Sequence, residues 1–245
     1  MNKAKKLGVL ALLSMLIVGC SCSKVDEKTY EAAVNTYETT DGIYFTRIET
    51  IIVEGQDTQT RKKIDAKYLF NSNKDVMGME YTRAIYQRSS AGSDISSSTT
   101  KYYYNGDTRT LYTQLNSVNR YKKTDVSYDD VFNINVSQYD ELLMIKGYFA
   151  PVFKLNEVSE FDISEEEGKA NVSFYAVCPS YEKCNNNSEI IEYKYVISTD
   201  GTIESIAYDI VNGETTYSIR YNLYAYGSNN VKIKFPTDLE NYIEN

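Results

Sequence analysis

The chain has 245 residues, a formal charge of −8 and not one histidine, which excludes serine-histidine triads, cysteine-histidine pairs and imidazole metal sites. A balance of 34 Asp and Glu against 26 Lys and Arg argues against nucleic acid and anionic headgroups as non-specific partners. With 42% hydrophobic residues there is ample chain for one core, and 24 Tyr against 8 Phe and no Trp is its unusual entry.

Lys3, Lys5 and Lys6, the apolar stretch Leu7 to Val18 and then Gly19-Cys20 have the layout of a secretory signal, too short for a comfortable membrane span. "LIVGC" resembles the bacterial lipoprotein signal. That resemblance implies a cut after residue 19, lipidation of the Cys20 sulfur, and anchorage at the outer face of a bacterial cell membrane through N-terminal acyl chains, palmitate among them. Each buried methylene contributes roughly 0.8 kcal/mol, so two or three chains hold a soluble domain almost permanently. Loss of residues 1–19 removes Lys3, Lys5 and Lys6 and no acidic residue, moving the formal charge from −8 to −11. Cys20 and Cys22 make a poor metal or redox site, because the other two cysteines are far away.

Residues 20–27 are small or charged and read as a lipidated tether. Tyr30, Ala33, Val34 and Tyr37 then fall at i, i+3, i+4 and i+7, which predicts a short amphipathic helix closed by Thr39-Thr40-Asp41-Gly42. From there the period is two. "GIYFTRIETIIVEG" is apolar on both faces in places; Ile64, Ala66, Tyr68 and Phe70 alternate with Lys63, Asp65 and Lys67; Met77, Met79, Tyr81 and Ile85 repeat the pattern. "KYYYNGDTRTLYTQ" reads as a hairpin whose Asn105-Gly106 takes the positive φ of a tight turn.

The middle breaks the pattern: Tyr139, Leu142, Leu143 and Ile145-Lys146 have near-helical spacing, and Gly147 can end a central helix. Strands return in "KANVSFYAV", in "EIIEYKYVIS" with Tyr193 and Tyr195, in "TIESIAYDIV" and in "ETTYSIRYNLYAYG" with Tyr217, Ile219 and Tyr221; the last three form a meander turning at Thr199-Asp200-Gly201 and Asn212-Gly213. "NVKIKF" reads as a final strand. Cys178 and Cys184 flank a five-residue loop and, in an exported protein, are expected to form a disulfide.

Only carboxylates remain for catalysis. Asp162, Glu165, Glu166 and Glu167 read as a solvated turn without the alternating oxygens of a calcium loop, and Asp129-Asp130 reads as a cap. No glycine-rich phosphate loop occurs, so neither enzyme activity, cofactor nor metal is expected.

A lipidated N-terminus, a short helix, a run of antiparallel strands, a central helix, a closing meander and "VKIKFP" together resemble the LolA-like superfamily of lipoprotein carriers and lipid-binding surface lipoproteins. The resemblance covers roughly residues 25–240, and its motifs "YYYNG", "DGTIESI" and "VKIKFP" are strand edges rather than catalytic signatures. It implies a mainly β fold: one domain, residues 28–245, built as a strongly curved antiparallel sheet or unclosed β-barrel, with an N-terminal and a central helix over its concave face. On that face Ile64, Tyr68, Phe70, Met77, Met79, Tyr81, Tyr193, Tyr195, Tyr217, Ile219 and Tyr221 would bind a lipid or other hydrophobic small molecule. The alternative for each is plain core. The alternative for the protein is a surface module with a packed interior that meets another protein or a glycan.

Overall fold

The computed structural model describes residues 25–89, 93–127, 133–135, 142–144, 149–180, 182–186 and 188–244. The expected helix is present as α1, Glu27–Thr39. Asp26 caps it, its carboxylate accepting from the Lys28 and Thr29 amides at 3.1 and 3.3 Å. Tyr30, Ala33 and Val34 of the apolar stripe are buried, and Tyr37 is half-buried.

Six strands follow as a meander: β1 (Gly42–Val53), β2 (Thr58–Phe70), β3 (Val76–Ser89), β4 (Asp94–Asn105), β5 (Thr110–Gln114) and β6 (Arg120–Lys123). After β7 (Asn133–Asn135) and β8 (Leu142–Met144), a second meander comprises β9 (Val158–Glu166), β10 (Lys169–Val177), β11 (Ile190–Ile197), β12 (Ile203–Asn212) and β13 (Thr215–Tyr226), and β14 (Ile243–Glu244) ends the chain. Pairing of β1 with β13 fuses the two meanders into one 12-stranded unclosed sheet, ordered β14-β6-β5-β4-β3-β2-β1-β13-β12-β11-β10-β9. All neighbours are antiparallel except β14, which lies parallel to β6. The alternation read from the sequence decides the faces: Ile43 and Phe45 of β1, Ala66 and Tyr68 of β2, and Met79 and Tyr81 of β3 turn to the same inner side.

Three expectations need correction. Leu142–Met144 is not helical but pairs with Asn133–Asn135 as a separate two-stranded ribbon, while Tyr139, Ile145, Lys146, Gly147, Asp129 and Asp130 lie outside the described residues. A short apolar run fits either period, so spacing could not decide it. Second, "NVKIKF" joins no sheet. It is a strap over the outer face of β3 and β4, where the Lys234 amide donates to Glu80 at 3.1 Å and the Phe235 ring meets Tyr103 at 6.3 Å. Third, Asp162, Glu165 and Glu166 are strand residues of β9, and only Glu167-Gly168 makes the turn.

The hairpin at Asn105-Gly106 is real, but its glycine is there for another reason. Gly106 has no positive φ; its amide bonds the Met77 carbonyl at 2.9 Å, and a Cβ there would lie 2.8 Å from the Met77 Cα and carbonyl oxygen. Backbone cannot yield as a flexible side chain can. Gly106→Ala is therefore expected to lose about 1–3 kcal/mol in a urea titration; an unchanged midpoint would contradict this contact.

Candidate functional site

The inner face divides into two apolar zones with a charged cluster between them. Under α1, the Tyr30 ring meets Phe161, Phe174 and Tyr195 at centroid distances of 5.3, 5.7 and 5.9 Å, and its hydroxyl donates to the Phe153 carbonyl at 2.8 Å. Tyr195 donates to the Pro151 carbonyl at 2.6 Å, and Tyr193 packs on Phe153 at 4.8 Å. Tyr193 and Tyr195 are thus closed in by the helix and by the segment 151–153.

The second zone is the wall of β1 to β4. Tyr68 stands opposite Ile43 on one side and Met79 on the other, and its ring is ringed by Phe45, Phe70 and Phe149 at 5.0–6.2 Å. Tyr81 packs on Tyr102 at 5.9 Å. A register shift between Leu69 and Phe70 puts Val76 opposite Phe70 and leaves Met77 half-buried beside the wall. Tyr68 is 1% exposed, and its buried hydroxyl has no hydrogen-bond partner among the described residues. Burial drives its pKa well above the usual value, so the phenol stays neutral. A buried hydroxyl without a partner costs about 1–3 kcal/mol relative to a satisfied one, and calls for an explanation.

Between the zones the inner face carries charge. Arg47 and Glu49 follow Ile43 and Phe45 at the same parity on β1, and Arg47 lies across from Ile64 on β2 and Tyr221 on β13. Arg47 Nη1 donates to Glu49, Nε donates to the Tyr221 hydroxyl at 3.1 Å, and Nη2 lies 3.2 Å from both carboxylate oxygens of Glu182. Tyr208 also donates to Glu182, at 2.7 Å, and Lys62 Nζ stands 3.9 Å from Glu49. The Arg47 side chain is 3% exposed and that of Glu182 4%. Burial works against the guanidinium charge, but Tyr221, Glu182 and Glu49 outweigh it and hold the Arg47 pKa well above its usual value. Burial, reinforced by Tyr221 and Glu182, likewise raises the Tyr208 phenol.

Glu182 reaches this place from the loop between β10 and β11, closed by the expected Cys178–Cys184 disulfide, whose Cα atoms are 6.5 Å apart. The loop is fastened to the end of β12, where Asn212 Nδ2 donates to the Lys183 carbonyl at 3.0 Å and Asn185 Nδ2 to that of Val211 at 2.9 Å.

Of the proposed ligand positions, then, Tyr68, Met79 and Tyr81 share one wall with half-buried Phe70, while Tyr193 and Tyr195 sit beneath α1. Tyr221 joins the charged cluster, Ile219 is buried beside it on β13, and Tyr217 is half-buried opposite Ile51. Cys20 lies outside the described residues. Sequence reasoning missed Arg47, Glu49 and Glu182. The first two left a signal, charges at the buried parity of an apolar strand; Glu182 left none, since its partner is 135 residues away.

No family model matches the chain, and no curated protein matches it in sequence. In structure the chain is similar to LprF from Mycobacterium bovis (9% identity, TM-score 0.46, covering 86% of this chain and 95% of that one). It is likewise similar to the lipoprotein LppX from Mycobacterium tuberculosis (9% identity, TM-score 0.41, covering 86% and 97%). A DUF1329 family protein from Desulfovibrio piger aligns at 9% identity with a TM-score of 0.28, covering 87% and 95%.

Proposed function

We propose that this protein is a lipoprotein, anchored through Cys20 at the outer face of a bacterial membrane, that binds an acyl-bearing ligand against the β1 to β4 wall without transforming it. The observation that carries this reading is the wall itself: Phe45, Tyr68, Met79 and Tyr81 form an apolar inner surface of an unclosed sheet, and the Tyr68 hydroxyl is buried there without a partner among the described residues. An apolar ligand gains roughly 25 cal/mol for each Å² removed from water, and a polar atom on the ligand would satisfy that hydroxyl. No helix among the described residues is long and apolar enough to cross a membrane.

The second reading, an interaction module with a filled interior, is favoured by burial on both halves of the sheet, since Tyr30, Phe174, Tyr193 and Tyr195 on one and Phe45, Tyr68, Met79 and Tyr81 on the other are at most 1% exposed. Tyr68→Phe separates the two. In a plain core it removes an unsatisfied hydroxyl, stabilises the fold by about 1 kcal/mol and changes nothing else. In a ligand site it also weakens uptake of a fluorescent fatty acid that carries a hydroxyl along its chain severalfold, which is the result expected here; a stabilised variant with unaltered uptake would contradict the site. For the anchor, Cys20→Ser is expected to move the protein from the membrane to the soluble envelope fraction or the medium, and a variant still firmly membrane-bound would count against it.

A further inference from the structure

Arg47 is held between two carboxylates of different origin. Glu49 belongs to the same strand, two residues away, and cannot leave without the sheet. Glu182 belongs to the five-residue loop between Cys178 and Cys184 and reaches the guanidinium over 135 residues of chain. Among the described residues Arg47 and Lys62 stand against Glu49 and Glu182, and because Arg47 and Glu182 are buried, exchange of Glu182 for another anion keeps a carboxylate on the guanidinium whereas its simple removal does not. The place Glu182 fills has the donors a carboxylate headgroup needs: Arg47 Nη2 equidistant at 3.2 Å from two oxygens, and the Tyr208 hydroxyl at 2.7 Å from one of them. The apolar wall begins two residues from Arg47, at Phe45, and continues through Ile64 across the strand pair to Tyr68.

We infer that Arg47, with the Tyr208 and Tyr221 hydroxyls, is a site for the carboxylate headgroup of an acyl ligand, and that Glu182 is an internal carboxylate occupying it in this structure. The inference rests on the lipid-binding reading and specifies its ligand class: a chain along the β1 to β4 wall, ending in a single anion at Arg47. The acidic surface of the chain disfavours anionic membranes as a whole, but not one carboxylate delivered to a buried cation. The disulfide keeps the displaced Glu182 within reach, so that it returns when the ligand leaves. Ligand affinity is lowered by the fraction of molecules in which Glu182 holds the site.

The test compares a fluorescent fatty acid with the fluorescent alcohol of equal chain length on the full protein and on Glu182→Gln. The variant is expected to bind the acid about tenfold more tightly and the alcohol no differently. Should the variant fold poorly, the wild-type protein with Cys178–Cys184 reduced gives the same comparison with a smaller gain for the acid, since the loop loses its covalent closure while Asn212 and Asn185 still fasten it to β12. Acid and alcohol binding alike in both proteins, with the acid unaffected by either change, would overturn the headgroup site while leaving lipid binding intact. Acetate displacing the probe as well as a fatty acid does would also overturn it, because the site would then read a free anion. If neither probe binds either protein, the lipid-binding reading fails and this inference with it.

Discussion

Replacing Arg47 with methionine is expected to destabilise the fold by about 3–5 kcal/mol, because it leaves Glu49 and Glu182 buried beside each other without their shared cation. Methionine keeps most of the volume, so the loss reflects charge rather than a cavity. A guanidinium chloride titration of wild type and variant reads it directly. Adding Glu182→Gln to Arg47→Met should return part of the loss, since one of the two stranded charges is then gone. A loss below about 1 kcal/mol for Arg47→Met would mean that the cluster is solvated and exchangeable at little cost, and the description of it as buried would be wrong.

A loss of similar size is expected for Phe174→Ala, about 3–5 kcal/mol. Phe174 is 0% exposed and meets Tyr30, Phe153, Tyr193 and Tyr195 at 5.1–5.8 Å, which makes it the point where α1, the 151–153 segment and the sheet converge. Truncation forfeits the transfer energy of the ring and leaves a cavity that four rings cannot easily fill. The near-ultraviolet circular dichroism of the tyrosines should weaken together with the denaturation midpoint. A variant that loses less than about 1 kcal/mol would show that the zone beneath α1 is loosely packed, and would bring Tyr193 and Tyr195 back as ligand positions.

What the sequence made legible was local. The stripe Tyr30, Ala33, Val34, Tyr37 located the helix, and the alternation of Ile64, Ala66, Tyr68 located both a strand and its buried face, because periodicity and burial are properties of neighbouring residues. The Cys178–Cys184 bridge was legible for the same reason: its loop is short. What depended on distant partners was not. "NVKIKF" alternates like a strand, yet lies as a strap because β3 and β4 are already paired on both edges and offer only their outer face. Gly106 looked like a turn glycine and is instead a gap for the Met77 backbone. The charged cluster shows the limit most plainly. Arg47 and Glu49 could be suspected from parity within one strand, but their meeting with Glu182 depends on β1 pairing with β13 and on where the disulfide loop folds.

The most direct test of lipid binding is native mass spectrometry of the delipidated protein after exposure to fatty acids, lysophospholipids and diacylglycerol. A retained adduct of one acyl-bearing molecule is expected, with the fatty acid held most firmly. A spectrum showing only the unliganded mass with every lipid class would contradict it, and would leave the interaction module as the function of this fold.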